Sequence, residues 1–105
     1  MPNPGRIILV HGAWGSALSW GPVARALRRA GHDVVAIDLP GHGDDATPPD
    51  EVTLEDYIDR VEEELTNGPP ALLVAHSMGG MVISGAAERV PNKVRKLAYI
   101  CAFLP

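Results

Sequence analysis

The feature that most constrains this chain is the alternation of short apolar runs with segments of helical periodicity. Ile7 to Val10, Val34 to Ile37, Ala71 to Ala75 and Leu97 to Cys101 are four such runs, rich in β-branched residues and too short to be helices. Between the first two, Val23, Leu27 and Ala30 recur at helical spacing, with Pro22 in the first turn and Gly31 just past the end. Between the second and third, Thr53 and Asp56 form the ends of a capping box. Leu54, Ile58, Val61 and Leu65 then make the expected buried stripe, and Asn67-Gly68-Pro69-Pro70 ends the helix. Before the fourth run, a helix from Met78 to Val90 is stopped by Pro91. The order βαβαβαβ predicts an α/β fold, a three-layer open parallel sheet with helices on both faces. A chain of 105 residues is read as a single domain, residues 1–105.

In an open parallel sheet, ligands bind beyond the carboxyl ends of the strands. Three segments fall there: His11-Gly12-Ala13-Trp14-Gly15, Asp38-Leu39-Pro40-Gly41-His42-Gly43, and His76-Ser77-Met78-Gly79-Gly80. Ala75-His76-Ser77-Met78-Gly79 has the small-x-Ser-x-small form of a nucleophile elbow, with alanine at a position more often glycine. A sharp strand-to-helix turn needs small flanking residues. It lifts the serine hydroxyl above the sheet and aims the N-terminus of the helix at it. By itself such a pentapeptide also reads as a serine capping a helix. The loop 11–15 lies where a second oxyanion donor would belong, so the amides of Ala13 and Met78 are the expected pair. His11 reads as a structural histidine of that loop. Trp14 and Trp20 read as packing residues, with Gly12 and Trp14 also expected to line a substrate site.

Taken together, Val10-His11-Gly12-Ala13-Trp14, Asp38 to Gly43, Ala75 to Met81 and Tyr99 to Pro105 resemble the α/β-hydrolase superfamily. They resemble in particular the small esterases grouped with plant methylesterases and hydroxynitrile lyases. The resemblance covers the N-terminal half of the usual domain, a truncated α/β-hydrolase core. It implies Ser77 as nucleophile and the backbone of Ala13 and Met78 as oxyanion hole, in a serine carboxylesterase acting on small or short-chain esters. The alternatives are an inactive folded fragment or interaction module and a hydroxynitrile lyase-like enzyme.

The sequence departs from that pattern after the nucleophile. The family's chain order is Ser, then Asp or Glu, then His. Beyond Ser77 there is no His and no Asp, and Glu88 is the only acid; His11, His32, His42 and His76 all precede it. A surrogate base would have to be His42 or His11, with Asp38 or Asp44 as orienter. A serine without a base is a poor nucleophile.

Other classes fit less well. Net charge is −4, and Arg28-Arg29 or Lys93, Arg95 and Lys96 are too sparse for a nucleic-acid surface. Gly12-Ala13-Trp14-Gly15-Ser16-Ala17 is not a dinucleotide-binding G-x-G-x-x-G. Neither a signal peptide nor a membrane span is read from the sequence, so a cytoplasmic location is expected, with no cofactor, no metal and a small-molecule ester as substrate. The one cysteine, Cys101, reads as a buried strand residue. An apolar edge strand at 97–101 and a sheet face covered by one helix predict a homodimer or larger assembly.

Overall fold

A computed structural model of the chain describes residues 5–13 and 15–100. Its strands are β1 (Arg6–Val10), β2 (Asp33–Ile37), β3 (Ala71–His76) and β4 (Val94–Ile100), and its α-helices are α1 (Gly21–Arg29), α2 (Leu54–Thr66) and α3 (Gly79–Arg89). All strand pairs are parallel, and the order across the sheet is β2-β1-β3-β4. The two central strands, β1 and β3, therefore end side by side, with Val10 opposite Ala75.

Alternation along β1 divides the core between two faces. Ile8 and Val10 pack with Ile58, Val61 and Leu65 of α2 and with Val82, Ile83 and Ala86 of α3. Ile7 and Leu9 pack with Trp20 and with Ala24 of α1. Both faces are apolar because both carry helices, which makes the expected three-layer α/β architecture the observed one. Thr53 caps α2 as its sequence predicts. The Asp56 amide donates to Thr53 Oγ1 at 3.2 Å, and the Thr53 amide donates to Asp56 Oδ2 at 2.9 Å. At the amino end of the sheet the buried Arg6 donates to the carbonyls of Pro69 and Glu64 and to the Glu64 carboxylate, which fastens the end of α2 to β1. On the outer surface Arg89 of α3 pairs with Glu55 and Asp59 of α2, and its guanidinium pKa is raised, first by the hydrogen bond to Asp59.

Three expectations need correction. The buried line of the first helix is Trp20, Ala24 and Leu27, whereas Val23 and Ala30 are exposed. The cause is a 3-10 turn, Ala17–Trp20, that leads into α1 and seats Trp20 on the sheet, which fixes the helix rotation one residue later. Leu54, in the first turn of α2, is also exposed, while Ile58, Val61 and Leu65 are buried as expected. Finally, β4 begins at Val94, earlier than Leu97. Among the described strands it pairs with β3 alone, and Arg95 and Lys96 are exposed there, with Lys96 opposite Leu72. Leu97 and Ile100 are partly exposed there, and Cys101 lies outside the described residues.

Candidate active site

Ser77 sits between the end of β3 and the start of α3 with φ of 55°, the only positive φ of a non-glycine among the described residues. A left-handed serine costs on the order of 1–3 kcal/mol, so the surroundings must hold it. Two glycines permit this. A Cβ on Gly79 would lie 2.9 Å from the carbonyl oxygen of His11 and 3.0 Å from that of Val10, so α3 starts in contact with the backbone of β1. A Cβ on Gly12 would lie 2.8 Å from Ser77 Cβ and 3.0 Å from the His76 carbonyl oxygen. Gly12, expected as a substrate residue, is thus first a close-approach residue that lets the loop after β1 touch the elbow.

That loop is held by two side chains at the strand ends. His11, 1% exposed, uses both ring nitrogens. Nδ1 lies 2.8 Å from the Gly12 carbonyl, and Nε2 accepts the Leu39 amide at 3.0 Å. The second bond makes Nε2 the unprotonated nitrogen, so Nδ1–H is the donor to Gly12. The Gly12 carbonyl also accepts the Gly15 amide at 3.1 Å. Asp38 accepts the Ala17 amide at 2.7 Å through Oδ1 and the Asp44 amide at 3.1 Å through Oδ2. Gly43, with φ of 57°, lies against that carboxylate where any Cβ would collide with it. One carboxylate therefore ties the loop after β1 to the loop after β2.

Burial is the main cause that lowers the His11 pKa from 6.5, with nearby His42 acting in the same direction and the Gly12 hydrogen bond and Asp38 opposing. The folded state keeps this imidazole neutral while the unfolded chain protonates it, so the unfolded state binds more protons as pH falls. His11 thus contributes stability that is present above 6.5 and is lost as pH falls from there toward its lower folded pKa. Urea denaturation across that window should show stability falling with pH, and ring nitrogen shifts should report His11 still neutral where stability has begun to fall. A His11 ring that protonates at or above its ordinary value would contradict this.

Neither His42 nor His11, the two residues a surrogate base would have to be, hydrogen-bonds Ser77 among the described residues. The Ser77 hydroxyl makes no hydrogen bond among the described residues. Both nitrogens of His11 are engaged. The half-buried His42 places Nδ1 3.1 Å from the Pro40 carbonyl, and its ring packs 4.9 Å from that of His11 and 5.7 Å, edge-on, from that of Tyr57. Asp38 is occupied by amides and Asp44 is exposed, and neither carboxylate bonds His42. His32 lies at the other end of the sheet, before β2. Ala13 is exposed and Met78 is half-buried at the start of α3. Trp14 lies outside the described residues. Among those described, no group of acids, histidines and cysteines could hold a metal ion, and no helix is long and apolar enough to cross a membrane.

Beside the elbow lies a cavity of about 390 Å³, bounded by Gly12, Ala13, His76, Trp20, Val23 and Ile100 among others. Trp20 is 6% exposed, and its Nε1 has no hydrogen-bond partner. Sequence reasoning missed Val23 and Ile100 as cavity residues. The available signal was their position: Val23 is one residue off the buried line of α1, and Ile100 ends β4 opposite His76.

Comparisons with known proteins show the family. Residues 7–105 match the model of the alpha/beta hydrolase family. Methylesterase 7 of Arabidopsis thaliana is 40% identical over 98% of this chain and 42% of its own length. The carbendazim hydrolyzing esterase of a Nocardioides species is 44% identical over 93% of this chain and 42% of its own length. Among solved structures, polyneuridine aldehyde esterase superposes with a TM-score of 0.91 at 32% identity, over 96% of this chain and 41% of that one. The chain thus spans about two fifths of the length of these relatives. Its parallel sheet, its left-handed serine between strand and helix, and the family match over nearly all its residues place it in the alpha/beta hydrolase family.

Proposed function

We propose that this chain carries the nucleophile and oxyanion hole of a serine carboxylic ester hydrolase acting on small esters. The observation that carries the reading is the left-handed Ser77 at the β3–α3 junction, held by the close approach of Gly12 and Gly79. Strain of this kind is kept where it exposes a reacting group. Ser77 Oγ gives up its proton to water as it attacks the ester carbonyl, and the amides of Ala13 and Met78 receive the oxygen as it gains charge. The carbon–alcohol bond then breaks as the leaving oxygen takes a proton from water, and a further water hydrolyses the acyl-serine to the free acid and Ser77. His11 and Asp38 touch no substrate in this scheme; they position the loop that bears Ala13. The names of the relatives support a small ester as substrate, since they include methylesterases and a methyl jasmonate esterase. The cavity beside the elbow, at about 390 Å³, suits a short acyl or alcohol group.

The test is hydrolysis of p-nitrophenyl acetate and butyrate by the purified chain beside its Ser77→Ala variant. Turnover by the wild type that the variant lacks supports the reading. Equal rates would overturn it and make the elbow a feature of a binding module.

A further inference from the structure

A second recess lies at the end of the sheet away from Ser77. It is lined by Arg6, Ile7, His32, Leu72, Arg95 and Lys96 and has a volume of about 250 Å³. Its apolar floor comes from Ile7 and Leu72, which lie on the α1 face of the sheet. Its charge comes from β4. Successive strand residues ordinarily point to opposite faces. Here the pairing runs from Ala71 opposite Val94 to Leu72 opposite Lys96, so Arg95 is the extra residue of a bulge. Bulges re-aim side chains, and this one lets Arg95 and Lys96 border the same recess. The Arg95 guanidinium is held across Gly5, where a Cβ would collide with it.

The cations of the recess are not equivalent. Arg6 is met by Glu64 and two carbonyls. Arg95 and Lys96 have no ion-pair or hydrogen-bond partner among the described residues. His32 contributes a buried Nδ1 that also has none. Asp33, in register with Arg6, makes no ion pair with Arg95 or Lys96 among the described residues. Two adjacent cations without a partner among the described residues, an imidazole nitrogen likewise without one and an apolar floor make a site suited to an anion with an apolar body.

We propose that this recess binds an organic carboxylate with an apolar body, the head group on Arg95 and Lys96 and the body on Ile7 and Leu72. A guanidinium matches a carboxylate in two parallel hydrogen bonds, and the lysine adds charge. The volume is just below the ~300–1,000 Å³ usual for drug-sized ligands, so a single-ring or short-chain acid fits. The site is independent of the ester-hydrolase reading, because none of its residues approaches Ser77.

The experiment is an amide NMR titration of the full chain with benzoate at fixed ionic strength. Saturable shifts at Ile7, Leu72 and Arg95, with a Kd on the order of 1 mM, are expected for so small a ligand. Benzyl alcohol, which keeps the ring and loses the charge, and inorganic phosphate, which keeps charge and loses the ring, should each bind at least about tenfold more weakly. The Arg95→Gln/Lys96→Gln double variant should lose affinity to a similar degree. Shifts that stay linear in benzoate, that centre on His76 and Ile100, or that survive the double substitution would overturn the proposal. So would phosphate binding as tightly as benzoate. The benzyl alcohol and phosphate comparisons use the wild-type chain, so the proposal stays testable if the double variant does not fold.

Discussion

Adding imidazole to the wild-type chain is expected to raise p-nitrophenyl acetate hydrolysis by roughly tenfold or more over the Ser77→Ala variant treated alike. The gain is part of the ~10²–10⁴ that a positioned general base supplies. The argument rests on what the structure gives Ser77 and what it withholds. The left-handed turn presents the hydroxyl, but no hydrogen bond from a described residue reaches it. His11 has one nitrogen on the Gly12 carbonyl and the other on the Leu39 amide, and residues 78–105 contain no histidine. The unassisted chain should therefore be slow, relying on the proposed donors at Ala13 and Met78 alone. Removing triad members from a serine protease leaves only ~10³–10⁴ over water from such sources. Imidazole also attacks activated esters directly, and the Ser77→Ala variant measures that background. Stimulation of equal size in both proteins would show that Ser77 takes no part. A wild-type rate already high without imidazole would show that a base is present, and the free Nε2 of His42 would be the first place to look.

The sequence made the order of elements legible because each element announces itself locally. A β-branched run, a capping box at Thr53 and Asp56, and a proline at residue 91 need no knowledge of the rest of the chain. The elbow was legible for the same reason: the small residues that its turn demands are its immediate neighbours. Contacts across the chain were not. The sequence suggested a structural His11, but only the fold shows that its second nitrogen accepts from Leu39, 28 residues away. Asp38 was one of several carboxylates able to orient a base until the structure put the amides of Ala17 and Asp44 on it. The rotation of α1 was misread because Trp20, in a 3-10 turn before the helix, sets it. From the sequence Arg95 and Lys96 read only as too sparse for a nucleic-acid surface. A bulge, which leaves no local signature here, brings them to one recess.

Gly79→Ala is expected to destabilise the chain by about 1–3 kcal/mol, the usual cost of forcing an extra carbon into a packed site. At roughly 4–8 °C of Tm per kcal/mol for a domain near this size, the melt should move visibly. Helix propensity predicts the opposite sign, since alanine is favoured over glycine inside a helix by nearly 1 kcal/mol. Geometry decides between the two. The added Cβ would lie 2.9 and 3.0 Å from two backbone carbonyl oxygens of residues 10 and 11, and neither can rotate away. The strand that ends at Val10 is fully buried and paired on both sides, and His11 behind it is buried too, so the helix must move instead. Moving α3 displaces Met78 and relaxes Ser77 from its left-handed turn, so Ser77-dependent ester hydrolysis should fall along with stability. Gly85→Ala provides the contrast. Its Cβ would meet the Ile58 side chain and no backbone atom, so propensity offsets more of the cost. A Gly79→Ala variant that melts at or above the wild-type temperature would mean that β1 and α3 are not in contact at the elbow, and the account of how Ser77 is held would fail with it.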